Sequence, residues 1–598
     1  MAFSCPAIAA TISTSVASFC LFSPPPSAVQ FSHLFLNKSP LSTEKHDSAK
    51  FACKTKDSSE NNPKIDPDEK ENQELIVQRR GFLLIGLGST GIYETAVNLG
   101  SSVSPDYLNC VDAAKPDGAP INCCPTSPAG MEITDYIPSP TAITRVRLPA
   151  HTANGRDNMV KYRKAVDLMK QLPASDPRSF MQQANVHCAY CNGGYNQEGY
   201  SNVRFQVHRS WLFFPFHRWY LYFYERICRK LLQDETFALP FWNYDSPSGM
   251  EIPAMFNDSS SSLYDRLRNQ DHLPPVVVDL NWGSFLTGIS PEKNQIKYNL
   301  NLMYKQMITN ATTPRLFFGQ PYRAGDETPT RSGSGSIEIA LHTTIHAWTG
   351  DPKQPFTEDM GTFYAAARDP IFYAHHANID RLWNIWVDKL GGKVFRDPDW
   401  LDSSFMFYNE EAKPMIVKVK DCLDSTSLGY IYEDIEIPWL DAKPTPRRKG
   451  VRVVTSELCQ ATQVFPTALD RVLNIIIRRP KELRSKEEKE EAEEVLLVDE
   501  IEYDCSKPVK FDVYLNESDV KLCTPANSEF LGSFLDVPYH RHPRSTEKGS
   551  VRFAISSVLE ELHGTNESDF LLVTLVPRRG DVTIGGVKIE FDTSKNSA

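Results

Sequence analysis

Apolar residues recur at helical spacing over 158–172 (NMVKYRKAVDLMKQL), and the run stops before Pro173. A shorter helix is predicted over 178–186, started by Asp176-Pro177, with His187 just beyond it. Gly193-Gly194 then marks a loop. The stretch 207–226 (VHRSWLFFPFHRWYLYFYER) is crowded with Phe, Trp and Tyr and predicts a long helix ending near Leu232. Pro215 should distort the turn between His208 and His217. Residues 234–335 carry Pro, Asn, Asp, Ser and Gly throughout and read as long excursions and short helices. Two more helices are predicted, 337–348 (IEIALHTTIHAW) and 371–389, the latter opened by Asp369-Pro370. Beyond 443–450 (KPTPRRKG), an exposed and protease-sensitive linker by its composition, the pattern changes to strands. These are 451–457, 510–516, 569–578 and 587–592, the last alternating with period two, and they should form a small antiparallel sandwich. The charge-dense stretch 481–494 reads as a solvated loop or helix without chemistry.

At 598 residues the chain exceeds one core and should hold two or three domains. A net charge of −11, with no basic block interleaved with aromatics, argues against nucleic acid as a partner. No run of 18 apolar residues exists, so no integral membrane span is expected. The first 43 residues contain no Asp or Glu and are rich in Ser, Thr, Ala and Pro, as organelle transit peptides are. A polar spacer follows, and then Arg79-Arg80 precedes a short apolar stretch, Gly81 to Leu87. Twin arginines in that position suit a second export step, from the chloroplast stroma into the thylakoid lumen, with a mature start near 101–105. Cys110, Cys123, Cys124, Cys188 and Cys191 lie in or near loop-rich sequence, which suggests an arm stapled by disulfides of undetermined connectivity.

The candidate chemistry lies in the histidines. His208 and His217 sit in the aromatic stretch, His342 and His346 share one face of a predicted helix, and His375-His376 and His187 complete the group. A lone buried His is usually a hydrogen-bonded core residue, but this many on a few helical segments suggests metal held between facing helices. There is no HExxH and no pair of Glu-x-x-His motifs, which disfavours a zinc protease and a carboxylate-bridged di-iron site. An imidazole set is compatible with zinc, copper, iron or nickel. Six imidazoles divide into two three-histidine sites, and two such metals with open positions suit O2, which points to copper. His208 and His217 are two and a half helical turns apart, so they converge only if His208 precedes the regular helix or the helix bends.

HCAYCNGGY (187–195) and VHRSWLFFPFHRWYLYFYER (207–226) resemble the CuA region of plant polyphenol oxidases, the type-3 dicopper proteins of the tyrosinase and catechol oxidase group. LHTTIHAWTGD (341–351) and DPIFYAHHANIDRLWNIW (369–386) resemble the CuB region, and DWL (399–401) and KFDVYLN (510–516) two further plant signatures. The resemblance covers essentially the whole chain. It implies a mainly α catalytic domain, a four-helix bundle with long loops holding two copper ions, plus a C-terminal β-sandwich. The implied order is a chloroplast transit peptide and spacer (1–78), a twin-arginine thylakoid transfer segment (79–104) and a catalytic domain (105–440, CuA within 187–217 and CuB within 342–376). A linker (441–450) and a shielding β domain (451–598) follow.

Carried over residue by residue, the resemblance gives His187, His208 and His217 to CuA and His342, His346 and His376 to CuB. His376 is preferred to His375 because Asp380, four residues on, would support it. Cys191 matches the cysteine that forms a thioether to the second CuA histidine, here His208. Cys110–Cys124 and Cys123–Cys188 match the family's two disulfides. Glu338 matches a glutamate that holds a water near the metals, and Phe363 matches an aromatic gate over CuA. Thr343 and Ala347 follow the first two CuB histidines, where many hydroxylating relatives carry Asn after the first. The implied activity is oxidation of o-diphenols to o-quinones with O2 as co-substrate, with weak monophenol hydroxylation at most. A small phenol is the expected partner, and a protease acting within 443–450 would release a latent form. The rivals are a phenol hydroxylase of one biosynthetic pathway and a non-catalytic O2 carrier of the hemocyanin type.

Overall fold

The computed structural model describes residues 100–139, 143–283, 291–327, 333–447, 460–481, 483–539, 546–562 and 569–594. The leader, the Arg79-Arg80 segment and the strand expected over 451–457 lie outside these residues. All of the described residues belong to one compact unit.

Helix α1 (Ala153–Gln171) begins where Thr152 Oγ1 accepts the Gly155 N–H at 3.1 Å. Helix α2 (Phe180–Cys191) is capped by Ser179. It extends past the predicted end at 186, so His187 lies inside the helix and not after it. Nothing between 186 and Gly193-Gly194 breaks a helix, and Val186 through Cys191 are all buried. Helix α3 (Phe213–Leu232) buries almost every side chain from Phe213 to Arg229, as an all-round apolar helix must. Pro215 sits in its first turn, where the missing N–H costs no intrahelical bond. Gln233 closes it in the left-handed conformation, with Arg229 and Lys230 in the last turn complementing the helix dipole.

Helix α4 (Pro291–Met307) is longer than the short helices expected over 234–335, and its Lys305 Nζ donates to Asn527 O of the C-terminal region at 3.0 Å. The helix predicted over 337–348 is two segments: a π-helical turn over Ile337–His342, then α5 (Thr343–Thr349). Helix α6 (Ile371–Asp388) carries His375 and His376.

Helices α3 and α6 are tied by a fully buried charge cluster. Asp380 Oδ1 accepts Arg218 Nε at 2.5 Å, and Oδ2 accepts Arg147 Nη1 at 3.2 Å and the hydroxyls of Tyr430 and Tyr432 at 2.7 Å each. Arg147 also donates to Glu225 on α3 at 2.9 Å. Arg147 and the tyrosines come from two short strands, β1 (Arg145–Arg147) and β2 (Tyr430–Tyr432), which pair in parallel.

The C-terminal region is two antiparallel sheets sharing one apolar core. One holds β4 (Leu473–Arg478), β6 (Val509–Leu515), β7 (Phe530–Asp536) and β9 (Phe570–Arg579), in the order β4-β9-β6-β7. The other is built on the long strand β5 (Glu493–Asp504), paired with β8 (Thr546–Ala554) on one side. Strands β10 (Val582–Ile584) and β11 (Gly586–Asp592) pair with its other side, and β3 (Thr467–Ala468) adds to β10. Within the charge-dense stretch, Lys486–Glu491 forms a short helix with no buried residue, while Glu493 and Glu494 begin β5.

The sandwich is docked on the helices. Asn310 donates to Leu531 O at 3.2 Å and accepts from Ala554 N at 3.1 Å, and Thr313 Oγ1 donates to Asp592 at 2.6 Å. The stretch read as an exposed linker is partly held as well. Pro444 is buried and Arg447 is paired with Glu517, while 448–450 lie outside the described residues. Among the described residues, no helix is long and apolar enough to cross a membrane.

Candidate metal centre

The histidines come together in two buried groups. One holds His187 from α2, His208 and His217, with Cys191; the other holds His342, His346, His375 and His376. Within each group the potential ligand atoms all lie within 4.8 Å of one another. The spacing difficulty between His208 and His217 is resolved by the backbone. His208 precedes α3, and Arg209 after it takes a positive φ of 61°. That conformation is uncommon outside glycine, and it turns the chain between the two imidazoles.

Backbone carbonyls orient three of the rings. His187 Nδ1 pairs with Phe363 O at 3.0 Å, His217 Nδ1 with Phe213 O at 2.7 Å, and His346 Nδ1 with Met360 O at 2.7 Å. Each carbonyl can only accept, so Nδ1 carries the proton and Nε2 is left with its lone pair. The Nε2 atoms of His187 and His217 are buried without a hydrogen-bond partner, as are both ring nitrogens of His208, His342 and His375. Buried polar nitrogens are rarely orphaned in such numbers unless something absent from the coordinates satisfies them.

His346 Nε2 and His376 Nε2 face each other at 3.4 Å. Two imidazoles bound to one tetrahedral ion at about 2.0–2.1 Å place their nitrogens about 3.3–3.4 Å apart. Burial, reinforced by neighbouring imidazoles, pushes His187, His208, His342, His375 and His376 well below the usual histidine range. Burial likewise takes His217 down to about 3 and His346 to about 4. Neutral, preoriented imidazoles with open lone pairs fit two metal ions, and imidazole-only sets suit copper among others.

The walls are aromatic. Phe363 lies parallel to the His208 ring at 4.5 Å, Phe213 is 4.7 Å from both His217 and His342, and Phe372 is 4.2 Å from His376. Glu338 is buried in the π turn. Its Oε1 accepts the Arg209 N–H at 2.7 Å, and Oε2 has no partner. Burial pushes its carboxyl up to about 8, against the pull of the Arg209 N–H and charge. Thr343 Oγ1 donates to Glu338 O at 2.7 Å, and Ala347 is buried beside it in the helix. Cys110 is bonded to Cys124 and Cys123 to Cys188, which anchors the N-terminal arm to α2 beside His187.

One expected role is corrected. Asp380 does not support His376: both of its oxygens are taken up by Arg147, Arg218, Tyr430 and Tyr432. Four residues along a helix brings two side chains to one face, but two arginines outcompete an imidazole for a carboxylate. The sequence reading also passed over Arg209, Asp536 and Tyr539, which meet over the first histidine group. The signal it held for them was an arginine placed directly after a ligand-type histidine.

Residues 177–389 match the common central domain of tyrosinase, 395–445 the polyphenol oxidase middle domain, and 465–591 the chloroplastic polyphenol oxidase C-terminal domain. The chain is 50% identical to aureusidin synthase of Antirrhinum majus over 516 residues, covering 83% of this chain and 90% of that one. It is 46% identical to a chloroplastic polyphenol oxidase of Malus domestica, covering 95% and 97%. The solved structure of latent apple tyrosinase superposes with a TM-score of 0.72 at 49% identity, over 77% of this chain and all of that one.

Proposed function

The chain belongs to the plant polyphenol oxidase family of type-3 copper proteins, oxidoreductases that work with two copper ions and O2, and from that premise we propose that it oxidises o-diphenols to o-quinones. In this reading His187, His208 and His217 hold one copper, and His342, His346 and His376 hold the other. The 3.4 Å approach of His346 Nε2 to His376 Nε2 supports His376 over His375 as the third ligand. When bound, the copper pair supplies the redox chemistry, in which two diphenols each lose two electrons and two protons and one O2 becomes two waters.

The protein's own side chains do the binding and orienting. Phe363 offers a face against which an incoming ring stacks beside His208. The open Oε2 of Glu338 would hold a water beside the site. Cys191 fixes His208 through a thioether, in a position the start of α3 does not itself enforce. Phe213 and Phe372 keep the imidazoles dry.

The observation that carries the choice of diphenol over monophenol is the Thr343 hydroxyl, whose proton is committed to Glu338 O. Neither it nor Ala347 offers the paired amide donor and acceptor that would orient a water for deprotonating a monophenol. Oxygen uptake with 4-methylcatechol against 4-methylphenol tests this. Rapid uptake with the first and little with the second is expected, and Thr343→Asn should raise the second. Equal rates on both, or no gain in the variant, would count against the assignment. Likeness to aureusidin synthase supports a second reading, an enzyme dedicated to one biosynthetic phenol. No turnover of any phenol by the copper-loaded chain after cleavage within 443–450 would favour an O2 carrier.

The full-length chain is read as a latent form. Ile339, Ala347 and Phe363, beside the site, are part of the sandwich's own apolar core, which supports a covered entrance. Cleavage within 443–450 would uncover it. Relatives named as chloroplastic, together with the acid-free leader, support a plastid address, and Arg79-Arg80 supports onward transfer to the thylakoid lumen.

A further inference from the structure

Arg209 follows His208 directly and sits where the helices meet the sandwich. Its guanidinium pairs with Asp536 and stands 3.9 Å from Glu547 Oε1. Its Cζ lies 4.4 Å from the centre of the Tyr539 ring. The Tyr539 ring is in turn 5.5 Å from Phe363, the residue stacked on His208. Tyr539 is buried, and its hydroxyl has no partner among the described residues. A carboxylate and a phenol, three residues apart on one short segment, thus lie against Arg209 and Phe363 beside His208. Asp536 lies on a cavity that His208, Glu338, Thr343 and Phe363 also help to line, and among its described lining residues Arg209 is the single cation.

We propose that Arg209 is a specificity residue that receives a carboxylate of the substrate, so that the preferred o-diphenols carry a carboxylate on a short side chain. Asp536 and Tyr539 occupy the positions of that carboxylate and ring in the uncleaved chain. The inference rests on the reading above that the site oxidises o-diphenols. Three physical points support it. The planar guanidinium fork matches a carboxylate with two parallel hydrogen bonds. The acids that face Arg209 from the sandwich, Asp536 and Glu547, leave with it, so the guanidinium is then open to another anion. The Arg209 N–H is fixed by Glu338, so the backbone that aims the guanidinium is tied to the site and not to the sandwich.

The test uses copper-loaded full chain activated by limited proteolysis, with 3,4-dihydroxyphenylacetate, its methyl ester and 4-methylcatechol as substrates. The readout is the ratio of kcat/KM for the acid over the ester. A carboxylate held by a charged hydrogen-bonding partner predicts that Arg209→Gln lowers this ratio by about tenfold or more. Arg209→Lys, which keeps the charge but not the fork, should fall between the two, and added salt should shrink the ratio in the wild type. If Arg209 is only a tether for the sandwich, the ratio is the same in wild type and Arg209→Gln, and the substrate class is overturned. Failure of the wild type to oxidise any of the three would instead overturn the diphenol oxidase reading and the substrate class with it.

Discussion

At the scale of single residues, the histidines were legible because their chemistry is scarce in a core and their spacing repeats. His187, His208, His217, His342 and His346 all fall in the two buried groups that the sequence anticipated. What spacing cannot show is the environment that decides a side chain's partners. Asp380 lies one turn from His376, yet Arg147 and Arg218, distant in sequence, claim it. Arg209 is an ordinary cation in the sequence and a buried hub in the fold. Cys191 makes a prediction that belongs to this scale, because thioether formation to His208 removes two hydrogens. Digestion of the copper-loaded protein should yield the Cys191 and His208 peptides as one cross-linked species lighter by that mass. Two separate peptides would contradict the bond.

At the scale of elements, α1, α2, α3 and α6 were visible in the sequence, while α4 went unrecognised in the polar stretch 234–335, and the helix ends were set by local chemistry the sequence displays less clearly. Helix α2 continues through His187 because only Gly193-Gly194 stops it. The π turn at Ile337–His342 was not legible, since one additional residue in a turn leaves no mark on composition. Such turns cluster at functional sites, and here one places Glu338 and His342. The clamp between α3 and α6 gives a stability prediction. Burial would raise the Asp380 carboxyl, but the beside-lying Arg218 and Arg147 hold it below the usual carboxylate range. Its ionised form therefore stabilises the fold above about pH 4, and that contribution is lost as the pH falls through the lowered folded-state value. Asp380→Asn should cost about 3–5 kcal/mol at pH 7 and flatten this acid limb, because two buried arginines lose their counter-charge. Thermal melts from pH 7 downward, with copper content measured alongside, check it. A variant that melts like the wild type but loses copper would return Asp380 to a metal-supporting role.

At the scale of the whole molecule, four strand-like runs, the last of them with period two, marked the sandwich, but its docking is made by contacts between side chains far apart in sequence and was invisible there. Asn310, Thr313 and Arg209 reach it from the helical region, and Thr362 Oγ1 donates to Pro538 O at 2.8 Å, beside Tyr539. Removing that cover should matter more for large substrates than for small ones. Cleavage within 443–450 is expected to raise kcat/KM several-fold more for a bulky diphenol than for catechol, and an equal change for both would argue against a covered entrance. The central claim, two copper ions each held by three histidines and together reacting with O2, is tested most directly by copper content per chain with oxygen uptake on 4-methylcatechol. Two coppers and, once the chain is cleaved within 443–450, rapid uptake are predicted for the wild type, and a single copper with uptake abolished after the same cleavage for both His187→Ala and His346→Ala. Two coppers retained in either variant, or uptake that survives the loss of one, would contradict it.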